Sequence, residues 1–313
     1  MGYSTKRIGD DDYVEIQQLI EQSFGVHLSL SSIYLKYNTS IFGKSNVGLF
    51  AIDEKGEPAA YYGVFPITLH YNSQDFIIAQ SGDTMTAPAH RKKGLFTRLA
   101  QETYGLAHEV GIRMIYGFPN ENSYPGFKKK LNWVFTGKFR KFTIKVMTFP
   151  LCELASKFPF LECYYNSYFE WRIKKYTITI AEVNIEKFNL SKVLGHVKKD
   201  ENFLKYKLKG VNCRLVRVNG FTILLKAKTH LYIGNIESIE DSQVLLLLDT
   251  VKTLAKKLGC KKVVFLLSEN HWLFSMLENH LSFEEDQNIG FYLFDETFDP
   301  NKIQFIGADF DTF

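Results

Sequence analysis

The apolar positions in the first third of the chain predict one helix followed by several strands. At the start, Val14, Ile16, Leu19, Ile20 and Phe24 recur at helical spacing, and the aspartates Asp10–Asp12 just before them can cap a helix. Apolar runs of strand length follow at 47–52, 59–65, 67–71 and 76–79, with a turn at 53–56 and an interruption at Pro66. We therefore expect an opening helix packed on antiparallel strands.

A second helix is predicted after residue 94, and a strand and a short helix follow it. The apolar stripe of the second helix consists of Phe96, Leu99, Ala100, Thr103, Ala107 and Val110. An apolar strand at 114–118 precedes a short helix at 127–130. Strands and helices in this order predict an α+β fold, a mixed central sheet flanked by helices.

The second half of the chain carries a fainter copy of the same order. Residues 254–259 resemble 106–111, a strand at 263–267 corresponds to 114–118, and Glu269-Asn270 falls opposite Glu121-Asn122. Shared order and spacing indicate a tandem duplication, with chance similarity between two α/β units as the alternative. The predicted domains are 1–148, an aromatic connecting segment at 149–190 that forms strand or helix, and 191–313.

Composition narrows the class of protein without naming it. The chain has 313 residues, of which 45% are hydrophobic and 23% charged, enough for two packed cores. A net charge of +4 is too small to indicate nucleic acid. The four cysteines lack metal-site spacing, and neither a signal segment nor a membrane-length apolar run occurs. We expect a cytoplasmic protein with no metal, no nucleic-acid partner and no membrane span, and a homo-oligomer remains open.

The chemistry-bearing motif is the basic turn His90–Phe96, HRKKGLF, between an apparent strand and a helix. The first N–H groups of a helix lack acceptors within it, and the helix dipole adds positive potential, so such a turn can bind a phosphate. Gly94 lets the backbone approach an anion without a Cβ in the way. The alternative is an ordinary solvated surface turn.

Arg91-x-x-Gly94-x-Phe96 resembles the pyrophosphate-binding signature of GCN5-related N-acetyltransferases (GNAT), with Phe96 where that family usually has a small residue. The resemblance extends over roughly residues 45 to 140, through the strand at 114–118 and the asparagines that follow it. The segments 41–45, 62–66 and 116–123 are similar to acetyltransferases of bacterial surface-polysaccharide synthesis.

The resemblance implies acetyl-CoA as the acyl donor and gives each part of its site. Backbone groups near Met85, Thr86 and Ala87 would run beside the pantetheine arm, and the N–H of Met85 or Ala87 would polarise the thioester carbonyl. The turn would hold the pyrophosphate, and Asn122 would contact the arm. The complete predicted set is Met85, Thr86, Ala87, Arg91, Lys92, Lys93, Gly94, Leu95, Phe96 and Asn122. Lys128–Lys130 could assist the 3′-phosphate or form a solvated helix face.

The sequence does not determine which residues act as the general acid and the general base. Lys128 stands where many GNAT members have a catalytic tyrosine, and Tyr124 is the nearest replacement. Asp83 could relay a proton, and Glu121 is a further candidate. The apolar end of the chain is expected to dock, so that the Phe313 carboxylate or Asp311 borders the acceptor pocket and acts as base.

The second half lacks the cofactor turn. The segment 234–241 that replaces it carries Glu237, Glu240 and Asp241, which would repel a pyrophosphate. We therefore expect one cofactor site, in the first domain. The predicted activity is acetyl transfer to a small primary amine, with an amino sugar, free or nucleotide-linked, as the best guess. The alternatives are an aminoacyl transferase that uses charged tRNA and a CoA-binding module without catalysis.

Overall fold

The computed structural model describes residues 2–189 and 193–313, which form two compact units. The first unit comprises Met1–Gly137 and Gln287–Pro300, and the second comprises Lys138–Asp286 and Asn301–Phe313. Each unit is a mixed sheet with helices packed on it, so the predicted fold class is confirmed.

The first unit contains most of the elements predicted around the basic turn. Its elements in chain order are β1 Ser4–Arg7, α1 Tyr13–Phe24, α2 Leu30–Tyr37, β2 Val47–Ile52, β3 Pro58–Tyr71, β4 Gln74–Thr86, α3 Leu95–Glu109, β5 Met114–Gly117 and α4 Tyr124–Lys130. A later strand, β12 Phe283–Leu293, completes its sheet, whose order is β1-β2-β3-β4-β5-β12. The pairing of β4 with β5 is parallel, as expected for strands joined by a helix.

Two apolar layers cover this sheet. One cluster joins the α3 stripe (Leu99, Ala100, Ala107) to Phe127 of α4. The other joins α1 and α2 to Met85 and other residues of β3 and β4. Successive residues of a strand point to opposite faces, so β4 presents alternate side chains to these two layers.

The second unit repeats the order of strand, helix, parallel strand and short helix. Its elements are β6 Val134–Lys145, α5 Leu151–Lys157, α6 Glu162–Ile173, α7 Ile185–Phe188, β7 Gly195–Val197, α8 Glu201–Lys207, β8 Cys213–Val218, β9 Phe221–Ala227, β10 Leu231–Ile236, α9 Val244–Lys257, β11 Lys262–Leu267, α10 Phe274–Glu278 and β13 Ile303–Gln304. The sheet order is β6-β11-β10-β9-β8, and the apolar stripe of α9 packs on it. β10 and β11 are parallel, like β4 and β5.

The strand after each short helix pairs outside its own half of the sequence. β6 follows α4, yet residues 140–145 pair with β11 in the second unit. β12 follows α10, yet residues 290–293 pair with β5 in the first unit. Each unit therefore takes one strand from the other half of the chain.

This exchange makes the observed division differ from the predicted domains. The first unit ends at residue 137 rather than 148 and gains residues 287–300. Residues 149–189 belong to the second unit, where 162–173 form α6, one of the two forms expected for the connecting segment. Sequence periodicity identifies strands but not their partners, so it could not detect the exchange.

One element is longer than the pattern predicted. β3 continues through Pro66, which stands opposite Ala79 in the register. A proline interrupts a strand only where its missing N–H would have carried a ladder bond, and the sequence does not tell which way that nitrogen points.

Candidate functional site

The central feature of the first unit is a fork between β4 and β5. These parallel strands pair at Ala79↔Ile115 and Gln80↔Tyr116, after which β4 continues to Thr86 without further pairing to β5. Beyond the fork, β4 has an edge that β5 does not cover. An uncovered strand edge can accept an extended group as an added strand does.

A bulge in β4 lies just past the fork. Tyr61 pairs with Met85 and Gly63 with Gly82, so Asp83 and Thr84 together stand opposite Tyr62. Asp83 has φ +50°, a left-handed conformation that is uncommon outside glycine. Bulges of this kind bend a strand and redirect its groups, and they are frequent at active sites.

The predicted backbone contacts need one correction. The Ala87 N–H donates to the Ala59 carbonyl at 3.0 Å, so it is engaged by β3 and does not polarise a thioester. Because successive N–H groups along a strand point to alternate sides, the Thr86 N–H points away from Ala59. Met85 and Ala87 have buried side chains in the layer of α1 and α2, so they line the site through their backbone at most.

The basic turn follows directly after β4 and a short 3₁₀ segment, Pro88–His90. Gly94 is the N-cap of α3 with φ +77°, and Lys92 also has a positive φ, +62°. The first hydrogen bond of the helix runs from the Arg98 N–H to the Gly94 carbonyl at 3.2 Å, so the N–H groups of residues 95–97 have no acceptor within the helix. A Cβ on Gly94 would meet no atom within 4 Å, so the space in front of the turn is open.

The side chains of the turn divide into two groups. Arg91, Lys92 and Lys93 are exposed, and the Lys93 ammonium donates to the Tyr3 hydroxyl at 3.1 Å. Leu95 is buried in the core, so it can serve an anion only through its N–H. Three exposed cations around helix N–H groups make the turn fit a diphosphate.

The packing of the Phe96 ring explains why the turn tolerates a large residue at its last position. Its ring packs edge-on against Phe127 at 5.3 Å and lies 6.1 Å from the Tyr62 ring. A side chain on Gly126 would come within 2.9 Å of the Phe96 ring. The aromatic side chain therefore points into the core, and it holds α4 against the beginning of α3.

Buried hydroxyl groups line the base of the fork. Ser81 lies 2.7 Å from the Tyr62 hydroxyl, which lies 2.9 Å from the Tyr104 hydroxyl, and the Trp133 indole N–H donates to Tyr104 at 2.9 Å. Burial raises the pKa of Tyr62 and of Tyr104, so both stay protonated at neutral pH. These hydroxyl groups are far apart in sequence and no motif links them, so their hydrogen-bonded network was not predicted.

Asp83, a predicted proton relay, is held by two partners on α2. Its carboxylate accepts from the Lys36 ammonium at 2.7 Å and from the Tyr37 hydroxyl at 3.0 Å. These three groups lie on the face of the sheet that α1 and α2 cover. Lys36 was not singled out from the sequence, which gave no signal for the pairing.

Tyr124 and Asn122 lie on the side of α3 and α4. Tyr124 is the first residue of α4, half-buried, with its ring 4.6 Å from that of Phe135. Asn122 is exposed, and its N–H donates to the Asn120 side chain at 3.0 Å, so Asn120 shapes this loop. The contact of Phe96 with Phe127 brings the beginning of α4 close to the basic turn, whereas Asp83 faces the other layer.

In the second unit the corresponding fork is closed by the end of the chain. β10 and β11 pair up to Ile233↔Phe265, and Ile306 then bridges to Leu267. A side chain on Gly307 would come within 3.0 Å of the Ile233 carbonyl oxygen. The last residues therefore lie against the parted strands, where the first unit is open.

Lysines hold these last residues in place. Lys199 pairs with the fully buried Asp309 at 2.7 Å, and Lys207 donates to the Phe310 carbonyl. The Phe313 ring covers Gly234, so a Cβ there would come within 2.1 Å of it. The end of the chain docks within the second unit, and the predicted role of the Phe313 carboxylate as a base stays a prediction.

The described residues contain neither a metal-binding cluster nor a membrane-spanning helix. Over residues 2–189 and 193–313, no group of three or more His, Cys, Asp or Glu could hold a metal ion. Within the same ranges, every helix is too short or too polar to cross a membrane.

Most of the first unit matches the model of a known family. Residues 4–135 match the family model described as an acetyltransferase (GNAT) domain. The match covers less than half of the chain and contains the fork, the bulge and the basic turn. Residues 4–135 are therefore similar to a GNAT acetyltransferase domain, which agrees with the resemblance of the basic turn. A comparison with curated proteins gave no match.

Solved structures agree on the fold. A GCN5-related N-acetyltransferase from Kribbella flavida superposes with a TM-score of 0.59 at 13% identity, covering 94% of this chain and 71% of that one. A probable N-acyltransferase from Enterococcus faecalis V583 gives 0.57 at 12% identity, covering 94% and 73%. A glucosamine N-acetyltransferase region of a fungal β-N-acetylglucosaminidase gives 0.56 at 11% identity, covering 93% and 38%. At such identities the likeness shows the fold alone.

Proposed function

We propose that the first unit transfers an acetyl group from acetyl-CoA to the nitrogen of a primary amine. The observation that carries the proposal is the open fork beside the basic turn. The turn offers helix N–H groups, an open space at Gly94 and three exposed cations, which suit a diphosphate. The uncovered edge of β4 beyond Gln80 suits the amide-containing arm of pantetheine.

The proposed reaction is a direct displacement at the thioester. The amine nitrogen forms the new C–N bond while the C–S bond breaks, one proton leaves the nitrogen, and one proton reaches the thiolate of CoA. An N–H of the bulged part of β4 would stabilise the charge that develops on the carbonyl oxygen. Tyr124 is our candidate for the acid that protonates the thiolate.

The base is assigned to the groups that the sequence singled out. Asp83 would act through water, because its carboxylate already accepts from Lys36 and Tyr37. Glu121, the Phe313 carboxylate and Asp311 remain the other candidates. Removal of the last residues tests the two candidates at the end of the chain.

For the acceptor we propose an amino sugar, free or nucleotide-linked. The support is the resemblance of segments 41–45, 62–66 and 116–123 to acetyltransferases of surface-polysaccharide synthesis. The fungal region with the same fold is described as acting on glucosamine, which is compatible with this choice. The second unit would then be a duplicated domain that has lost its cofactor site.

The test is turnover of acetyl-CoA with a panel of amines. The release of the free thiol of CoA measures the rate, and mass spectrometry identifies the product. The panel contains amino sugars, their nucleotide-linked forms, polyamines and lysine peptides. We expect acetylation of an amino sugar and the loss of turnover in a Gly94→Val variant. Binding of CoA without acylation of any amine would support a binding module instead. Salt-dependent binding of tRNA without affinity for CoA would support an aminoacyl transferase.

A further inference from the structure

The second unit displays large apolar side chains on a surface that the proposed acyl transfer does not use. They lie between β6 and the end of α6, and each exposes between 45% and 93% of its area: Met147, Phe149, Phe158, Phe160, Tyr164 and Trp171. Scattered single exposures are normal, but a concentration of aromatic residues in one short stretch is not.

These side chains belong to neighbouring segments of the second unit. Tyr164 and Trp171 are seven residues apart on α6, about two turns, so they lie on the same face of that helix. The rings of Phe158 and Phe160, just before α6, are 5.9 Å apart. The α6 helix also contacts α5, which Met147 and Phe149 precede.

Basic residues flank the apolar ones along the same segment. Lys157 ends α5, Arg172 lies beside Trp171, and Lys174 and Lys175 follow α6 directly. The guanidinium of Arg172 is 5.3 Å from the Trp171 ring, a cation–π contact that orients both groups.

The end of α9, which carries Lys256 and Lys257, lies against the same segment. The Thr148 hydroxyl donates to the Lys256 carbonyl at 3.1 Å, and the Tyr168 hydroxyl donates to the Lys257 carbonyl at 2.7 Å. The Arg172 guanidinium also donates to the Lys257 carbonyl, at 3.2 Å. We call these apolar side chains and their six basic neighbours the aromatic–basic surface.

The acids nearby do not neutralise these basic residues. Glu170 pairs with Arg214, and Glu153, half-buried, lies 3.7 Å from His230. Glu162 at the beginning of α6 is the remaining exposed acid of the segment. The surface therefore combines an aromatic centre with a positive margin.

We propose that the aromatic–basic surface docks the protein on an anionic lipid bilayer. Tyrosine and tryptophan rings favour the depth of the lipid headgroups, and each lysine or arginine near an anionic bilayer adds attraction. Apolar insertion and a basic cluster are two signals that together give stable binding, whereas one alone binds weakly.

A second copy of the chain fits this surface less well. In a two-fold dimer the same patch meets itself, so the basic margins would face each other. Lysine is also depleted from protein interfaces. The positive margin therefore selects an anionic partner, and the aromatic centre selects one with an apolar interior.

The test is co-sedimentation of the full chain with vesicles of phosphatidylcholine alone or mixed with phosphatidylglycerol. We expect binding to the mixed vesicles that weakens as salt rises, and little binding to phosphatidylcholine. The variant K174E/K175E should bind at least about 25-fold more weakly, roughly fivefold for each side chain. The variant Y164A/W171A should lose about tenfold or more, because two exposed rings no longer insert.

Two control variants test whether any loss of vesicle binding is specific to the aromatic–basic surface. K44E/K55E makes the same change of charge on exposed lysines of the first unit, and Leu245→Ala removes an exposed apolar side chain at the other end of α9. Both should bind vesicles like the wild type.

The proposal is overturned if the wild type does not bind anionic vesicles at low salt, or if the controls lose as much binding as the surface variants. Self-association that Trp171→Ala abolishes, without vesicle binding, would assign the surface to a second copy. Acetyl transfer is measured separately, so its failure would not affect this result.

Discussion

The conformation of Gly94 leads to a quantitative prediction for cofactor affinity. Its φ of +77° is accessible to glycine at no steric cost, whereas an alanine there is strained by about 1–2 kcal/mol. A Cβ would touch no protein atom, so a substitution does not clash with the fold. If the turn keeps its conformation, the strain lowers the stability of the folded chain. If the turn relaxes, CoA must restore its conformation on binding, and the affinity falls.

We therefore expect Gly94→Ala to lower the affinity for CoA by up to roughly 30-fold, or to lower the free energy of unfolding by about 1–2 kcal/mol. Gly94→Val should lower the affinity further, since its branched side chain fills the space in front of the helix N–H groups. Calorimetry with CoA and chemical denaturation measure the two quantities on the same samples.

Gly105 provides the matched control. It lies within α3 at a site where a Cβ also meets open space, but without a positive φ. Gly105→Ala should stabilise the chain by up to about 1 kcal/mol and leave the affinity for CoA unchanged. Turnover of S-acetylpantetheine, which lacks the diphosphate, should be equal in the wild type and in Gly94→Val. Wild-type affinity for CoA in Gly94→Val would refute the assignment of the turn.

Three further predictions concern the acid, the end of the chain and pH. Tyr124→Phe keeps the ring and should reduce turnover about 100-fold with unchanged CoA affinity, and wild-type turnover would remove Tyr124 as the acid. Removing residues 310–313, which keeps the Asp309–Lys199 pair, should abolish turnover but not CoA binding, and full activity would exclude a base in that segment. Burial lowers the pKa of Lys207 to about 8, below its value of 10.5 when unfolded, so the unfolded chain binds the proton more tightly between these values and stability should rise with pH across that window. This rise in the free energy of unfolding, about 3 kcal/mol, should be missing in Lys207→Met. Denaturant unfolding of both proteins at several pH values measures it, and equal pH dependence of stability in the two proteins would contradict the prediction.

The local elements of the first unit could be predicted because their patterns are strong. The stripe from Leu99 to Ala107 became α3, and the apolar run at 114–118 became β5. The basic turn lies where the motif placed it, with Gly94 in the conformation that only glycine adopts easily. In such segments, the local preference of the residues and the tertiary structure agree.

The parts that sequence could not predict depend on long-range pairing. The exchange of β6 and β12 between the units joins residues far apart in sequence, and apolar periodicity is the same for either partner. The contact of Asp83 with Lys36 and Tyr37 depends on the bulge that turns Asp83 towards α2. The docking of the chain end against Gly234 likewise follows from tertiary structure rather than from a motif.

A crystal structure of the protein soaked with acetyl-CoA tests the central claim most directly. We predict the diphosphate on the N–H groups that follow Gly94 and the pantetheine arm along the edge of β4 beyond Gln80. A diphosphate bound elsewhere, or an arm that does not enter the fork between β4 and β5, would contradict the account.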